Sequence, residues 1–160
     1  RIIVVILDNA TTAMTGGQPV PHMGIAAAGK ETKAIAIEPL VKASGVTFLE
    51  VCDPYDNERF EALLKQADTY IRSDKGCVAV MIARHGCVMD RNVLKAQESY
   101  LVTINELCIG CRKCVDAFEC PALYMDTESN MAVVNQDRCV GCGSCIPSCP
   151  VDAIVKKERS

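Results

Sequence analysis

The sequence predicts a parallel α/β layout joined to a small α+β module built around cysteine. Three observations predict it. Short apolar runs rich in β-branched residues alternate with segments of helical spacing through the first part of the chain. Eight of the eleven cysteines fall between Cys108 and Cys149. Within that stretch one cysteine phrase occurs twice, as an internal repeat. The expected division is 1–102 for the α/β part and 103–160 for the cysteine module.

Ile2 to Leu7 is a continuous apolar run, the pattern of a strand buried on both faces of a parallel sheet. It ends at Asp8-Asn9, and a long loop with Gly16, Gly17, Pro19, Pro21 and Gly24 follows. Glu38-Pro39 starts a helix with Pro at the first helical position, Leu40, Val41 and Ala43 continue it, and Gly45 closes it. Thr47 to Val51 is the second strand. Asp53-Pro54 opens the next helix with Asp as N-cap. Phe60, Leu63, Leu64, Ala67, Tyr70 and Ile71 recur on one face, Gly76 ends the helix, and Cys77 to Ala83 is the third strand. Sites in such sheets lie at the carboxyl ends of strands, where Asp8, Asn9 and the Gly-rich loop stand. Three strands are few for a doubly wound domain, and the chain opens on Arg1 directly before a strand. The expectation is therefore the C-terminal part of a larger domain.

Composition narrows the function. A net charge of −3 with 4% aromatic residues and no Trp gives no case for nucleic acid or an anionic membrane. No apolar run approaches the ~18 residues that would span a bilayer. Nothing at the start has the form of a signal peptide.

The repeat reads Cys108-Ile-Gly-Cys111-Arg-Lys-Cys114, then Cys120-Pro121, echoed by Cys139-Val-Gly-Cys142-Gly-Ser-Cys145, then Cys149-Pro150. Three sulfurs three residues apart on a tight loop occupy three corners of a [4Fe–4S] cubane. In the two-cluster bacterial pattern the fourth comes from the other repeat. That assigns Cys108, Cys111, Cys114 and Cys149 to one cluster, and Cys139, Cys142, Cys145 and Cys120 to the other. Zinc knuckles leave the third thiol of each loop without a place, and disulfides need an oxidising compartment. Two clusters at 2+ would take the net charge from −3 to about −7. The repeats differ in one respect: five residues separate Cys114 from Cys120, three separate Cys145 from Cys149. That difference should alter packing around the cluster that uses Cys120. Cys52 and Cys77 fall at or in strands, where a free cysteine is expected to act as a small buried hydrophobe. Cys87 follows a strand end, and His85 is expected to be a loop or interface histidine.

The loop after the first strand carries the second signal. A strand ending in an amide followed by hydroxyls offers hard oxygen ligands suited to Mg²⁺, although a polar loop is more often only a loop. The run from Asp8-Asn9 through Thr12-Ala13-Met14-Thr15-Gly16-Gly17-Gln18-Pro19 resembles the thiamine-diphosphate loop of the 2-oxoacid:ferredoxin oxidoreductases. With Asp53-Pro54-Tyr55-Asp56, Val80-Met81-Ile82-Ala83-Arg84 and the order of the modules, it is most similar to the large subunit of that family's indolepyruvate branch.

The resemblance implies a thiamine-diphosphate-binding parallel-sheet domain followed by a bacterial-ferredoxin-like domain. It implies Asn9 and the carbonyl of Thr11 as Mg²⁺ ligands, with Thr15 and Gly16 beside the cofactor. The implied activity is oxidative decarboxylation of an aryl 2-oxo acid with coenzyme A. Electrons would pass through two [4Fe–4S] clusters to an external ferredoxin, with a smaller β subunit as partner, in the cytoplasm of an anaerobe. A pyruvate or 2-oxoglutarate enzyme and a non-catalytic electron-transfer module are the alternatives. The family's Gly-Asp-Gly-like segment and its activating Glu are not in this sequence, so these 160 residues should not catalyse alone.

Overall fold

The computed structural model describes residues 1–90 and 100–158. The chain divides into two compact units, Arg1–Ala96 and Gln97–Ser160.

In the first unit, β1 (Ile2–Asp8), β2 (Phe48–Cys52) and β3 (Val78–Arg84) form a parallel sheet in the order β1-β3-β2. The register puts Asp8 opposite Arg84 and Cys52 opposite Ala83, so all three strands end at one level. The central strand β3 is buried from Ala79 to Ala83. The first strand is not buried on both faces as its composition suggests. It is an edge among the described residues, with Ile2, Val4, Val5 and Leu7 exposed and Leu7 at 80%.

Helix α2 (Asn57–Arg72) lays one face on the sheet. Leu63 and Ala67 join Cys52, Ala79 and Met81 in the core, and Phe60, Tyr70 and Ile71 pack around it. Burying a side chain such as Met81 contributes about 1.5–3 kcal/mol. Leu64, expected on this face, is exposed, because it lies beyond the edge of the apolar stripe. The helix also starts later than Asp53. Asp53 sits before Pro54, which disfavours helical backbone, and its carboxylate accepts the amide of Tyr55 at 2.8 Å. Asp56 is the N-cap instead, accepting from the amide of Arg59. The helix ends at Arg72, ahead of Gly76, which closes the following turn. Helix α1 (Ile37–Ala43) begins two residues before Pro39, still within the first turn, where a missing N–H is tolerated. Cys52 is buried as expected, whereas Cys77, just before β3, is exposed.

The second unit is made of β4 (Tyr100–Ile104), α3 (Lys113–Asp116), β5 (Leu123–Met125), β6 (Ala132–Val134) and β7 (Ile154–Glu158). Strand β4 pairs antiparallel with β7, and β5 with β6. The two repeats thus exchange strands about a pseudo-twofold. The amide of Asn105 donates to the carbonyl of Ala153 at 3.0 Å, and that of Asn135 to the carbonyl of Ala122 at 2.8 Å. Each Asn side chain then accepts an amide two residues on, from Leu107 and from Asp137, which turns the chain toward the first cysteine of its loop. Val102, Leu123, Ala132 and Ile154 form the core with Cys114 and Cys145. The longer spacing before Cys120 is absorbed by α3, where the second repeat has only a 3₁₀ turn, Ile146–Ser148. Among the described residues no helix is long and apolar enough to cross a membrane.

Candidate functional site

At the carboxyl end of the first unit's sheet, Asn9 is exposed and follows directly on β1. Its side-chain oxygen accepts the amide of Thr11 at 3.2 Å, so Asn9 and Thr11 are held in one tight turn. Ala10, between them, has a φ of 59°, a left-handed conformation unusual for a residue with a Cβ. The loop then folds back on itself. Thr12 and Gln18 form an antiparallel bridge, Thr11 Oγ1 donates to the carbonyl of Gln18, and Gly17 donates to the carbonyl of Thr12. Thr15 and Gly16 sit at the exposed tip. The Thr15 hydroxyl donates to Gln18 Oε1 at 2.6 Å, and Gln18 Nε2 donates back to the Thr15 carbonyl.

Behind this loop lies a set of charges. Asp8 is 5% exposed. Its Oδ2 accepts from Arg84 Nε at 2.7 Å, and its Oδ1 accepts the amide of Ala10 at 3.2 Å. His22 Nε2 stands 2.7 Å from the same Oδ1, close enough for an ion pair but not aligned as a hydrogen bond. Arg84 also donates through Nη1 to Glu38 Oε1 at 2.8 Å. Burial alone would raise the Asp8 carboxyl. The Arg84 hydrogen bond, the Ala10 amide and the nearby cations outweigh it and hold the group below the usual carboxylate range. Glu38 is lowered as well, chiefly by its hydrogen bond from Arg84. At the ends of β2 and β3, His85 Nδ1 lies 2.9 Å from Asp53 Oδ2, and the Tyr55 ring meets the imidazole edge-on at 4.5 Å.

The pairing of Asp8 with Arg84 is set by the register of β1 on β3 and has no local signal in the sequence. Nothing in the sequence brings His22 or Glu38 to them.

In the second unit the eight cysteines separate into two sets. Cys108, Cys111, Cys114 and Cys149 line one small cavity, whose walls include Ile104, Ala132 and Ile154. Burial pushes the Cys114 thiol up, and Cys108, Cys111 and Cys149 act on it in the same direction. Burial likewise pushes Cys145 up to about 11, with Cys142, Cys120 and Cys139 adding to it. Each buried thiol therefore stands in the field of the other two of its own loop and of the Cys-Pro cysteine of the other repeat. Cys149 Sγ additionally accepts the amide of Ala153 at 3.2 Å. Gly110 and Gly141 hold corresponding places with φ of 66° and 73°. A Cβ on Gly110 would stand 2.4 Å from the carbonyl oxygen of Asn130, so the loop passes too close to that turn for any side chain. Among the described residues no three His, Cys, Asp or Glu side chains meet at a site for a single metal ion.

Residues 1–88 match the family described as thiamine pyrophosphate enzyme, C-terminal TPP binding domain. The chain belongs to the thiamine pyrophosphate enzymes. Residues 100–150 of this member of the family match a 4Fe-4S dicluster domain. The chain is 41% identical over 128 residues to the indolepyruvate oxidoreductase subunit IorA of Archaeoglobus fulgidus, which covers 79% of this chain and 20% of the relative. It is 39% identical over 161 residues to that of Pyrococcus abyssi, covering 98% and 24%. It is 37% identical over 159 residues to that of Thermococcus kodakarensis, covering 96% and 23%. The chain thus spans between a fifth and a quarter of the length of these curated relatives.

The residues fit the cofactors of both domains. Four thiols around an apolar-walled cavity are the donor set that an iron–sulfur cluster requires. Thiolates, which ligate iron, form there despite burial because the metal's charge reverses the local preference for the thiol. The strand-end loop offers oxygen donors and backbone groups and no thiol or carboxylate of its own, as suits a diphosphate with a hard cation.

Proposed function

We propose that this chain serves a 2-oxoacid:ferredoxin oxidoreductase, supplying part of its thiamine-diphosphate site and its electron relay. The reaction would be oxidative decarboxylation of an aryl 2-oxo acid such as indolepyruvate, with coenzyme A taking the acyl group. The observation that carries this is the joining, in one chain, of the strand-end loop at Asn9 to two cysteine sets of four. A loop for a decarboxylating cofactor and a pair of clusters carried on the same chain support a reaction that removes electrons as well as CO₂.

When bound, thiamine diphosphate supplies the carbanion and electron sink for decarboxylation, and the clusters supply one-electron carriers. Asn9 Oδ1 and the Thr11 carbonyl would hold Mg²⁺, with Thr15 and Gly16 at the diphosphate. Cys108, Cys111, Cys114 and Cys149 would hold one cluster, and Cys139, Cys142, Cys145 and Cys120 the other. The amide of Ala153 offsets negative charge at Cys149 Sγ. Apolar side chains shield the two buried sulfurs, Cys114 and Cys145, from water. A smaller β subunit and an external ferredoxin are the proposed partners, in the cytoplasm.

The test is anaerobic, coenzyme A-dependent viologen reduction by the intact enzyme with indolepyruvate, phenylpyruvate, pyruvate and 2-oxoglutarate in parallel. The aryl acids should give the highest kcat/KM. Preference for pyruvate or 2-oxoglutarate would keep the chemistry and reject the substrate. No reduction with any of them, at full iron content, would favour an electron-transfer module.

A further inference from the structure

Asp8 is the only buried polar or charged residue among the described residues. It is placed directly before Asn9. An ion pair across two strands needs one partner, yet this carboxylate has three. Arg84 comes from the end of β3, His22 from the far side of the loop, and the Ala10 amide from the turn itself. Burying a carboxylate is costly unless its oxygens are all engaged, and here both are. Asp8 is therefore not available to ligate a metal. What it controls is its neighbours. Accepting the Ala10 amide fixes the left-handed residue between Asn9 and Thr11, and with it the directions of Asn9 Oδ1 and the Thr11 carbonyl. Attracting His22 ties the return of the loop to the strand end. Glu38 holds Arg84 from its other side.

We propose that Asp8 is the positioning residue of the Mg²⁺–diphosphate loop, acting through Ala10 and His22 on Asn9 and Thr11. This rests on the reading of Asn9 and Thr11 as Mg²⁺ ligands. Groups that orient a metal's ligands are worth about 10-fold to 100-fold in metal affinity.

The experiment is calorimetric titration of Mg²⁺ into the intact, cofactor-free enzyme at saturating thiamine diphosphate. The unfolding temperature of the same protein without cofactor is measured in parallel. Asp8→Asn should weaken Mg²⁺ binding at least ~10-fold. His22→Gln, which changes a partly exposed side chain, should weaken it several-fold and leave the cofactor-free unfolding temperature unchanged. A purely structural Asp8 would lower that temperature and leave Mg²⁺ affinity intact in both variants, and that result overturns the proposal. If Asp8→Asn does not fold, His22→Gln decides alone. Asn9→Ala is the control. If it loses Mg²⁺ while Asp8→Asn and His22→Gln do not, only the positioning role falls. If Asn9→Ala also binds Mg²⁺ normally, the ligand reading falls and this proposal with it.

Discussion

Arg112 and Gly143 occupy the same place in the two cysteine loops and share one left-handed conformation, with φ of 65° and 74°. The repeat imposes this backbone whether or not the residue suits it. At Arg112 the side chain turns back to hold Asp116 through two hydrogen bonds of 2.8 and 2.9 Å. Gly143→Ala should therefore destabilise the iron-loaded second unit by about 1–2 kcal/mol, whereas Arg112→Gly should not destabilise it. Chemical denaturation under anaerobic conditions measures both.

The crossing of ligands between repeats predicts a reciprocal pattern. Cys149→Ser should perturb the cluster held by the loop from Cys108 to Cys114, and Cys120→Ser the one held by Cys139 to Cys145. Electron paramagnetic resonance of the reduced protein would show one signal altered and the other kept in each variant. If each substitution instead altered the signal of its own repeat, the crossed assignment would fail.

Met81 is fully buried in the central strand beneath α2. Met81→Ala should cost roughly 2–5 kcal/mol of the first unit's stability. Leu64→Ala, on the exposed side of the same helix, should cost far less. Urea unfolding followed by circular dichroism would give both values.

Acid should weaken the first unit through Glu38. Its pKa is lowered in the folded chain, so the unfolded state binds the proton more readily. The stabilisation is present above the unfolded value near ~4.3 and is lost as pH falls through the lower folded value. Glu38→Gln should lower the unfolding temperature near neutrality, converge with the parent protein at about pH 2, and so show a smaller fall between about pH 5 and pH 2. An unchanged acid limb would show that the Arg84 hydrogen bond contributes nothing there.

The strands and the cysteine repeat were legible because their signals are local and repetitive. The runs Ile2 to Leu7, Thr47 to Val51 and Cys77 to Ala83 each lie within about one residue of β1, β2 and β3. The repeat announces a pseudo-twofold, and the exchange of strands β4 with β7 and β5 with β6 follows it. Other features depend on tertiary context. Pro54 delays α2 from Asp53 to Asp56, and only the position of β3 between its neighbours makes β1 an edge. Arg84 and His22 reach Asp8 from segments distant in sequence, and no local pattern marks either as its partner.

The open side of β1 has a practical consequence. An edge that, among the described residues, pairs its backbone on one side only, with Ile2, Val4, Val5 and Leu7 uncovered, is a template for another strand. In solution by itself, this chain should self-associate as its concentration rises, through that edge and in preference to any other surface of the first unit. Placing a lysine at Val5 would then act as a solubilising gatekeeper, keeping the fold and raising the concentration at which the protein stays dispersed.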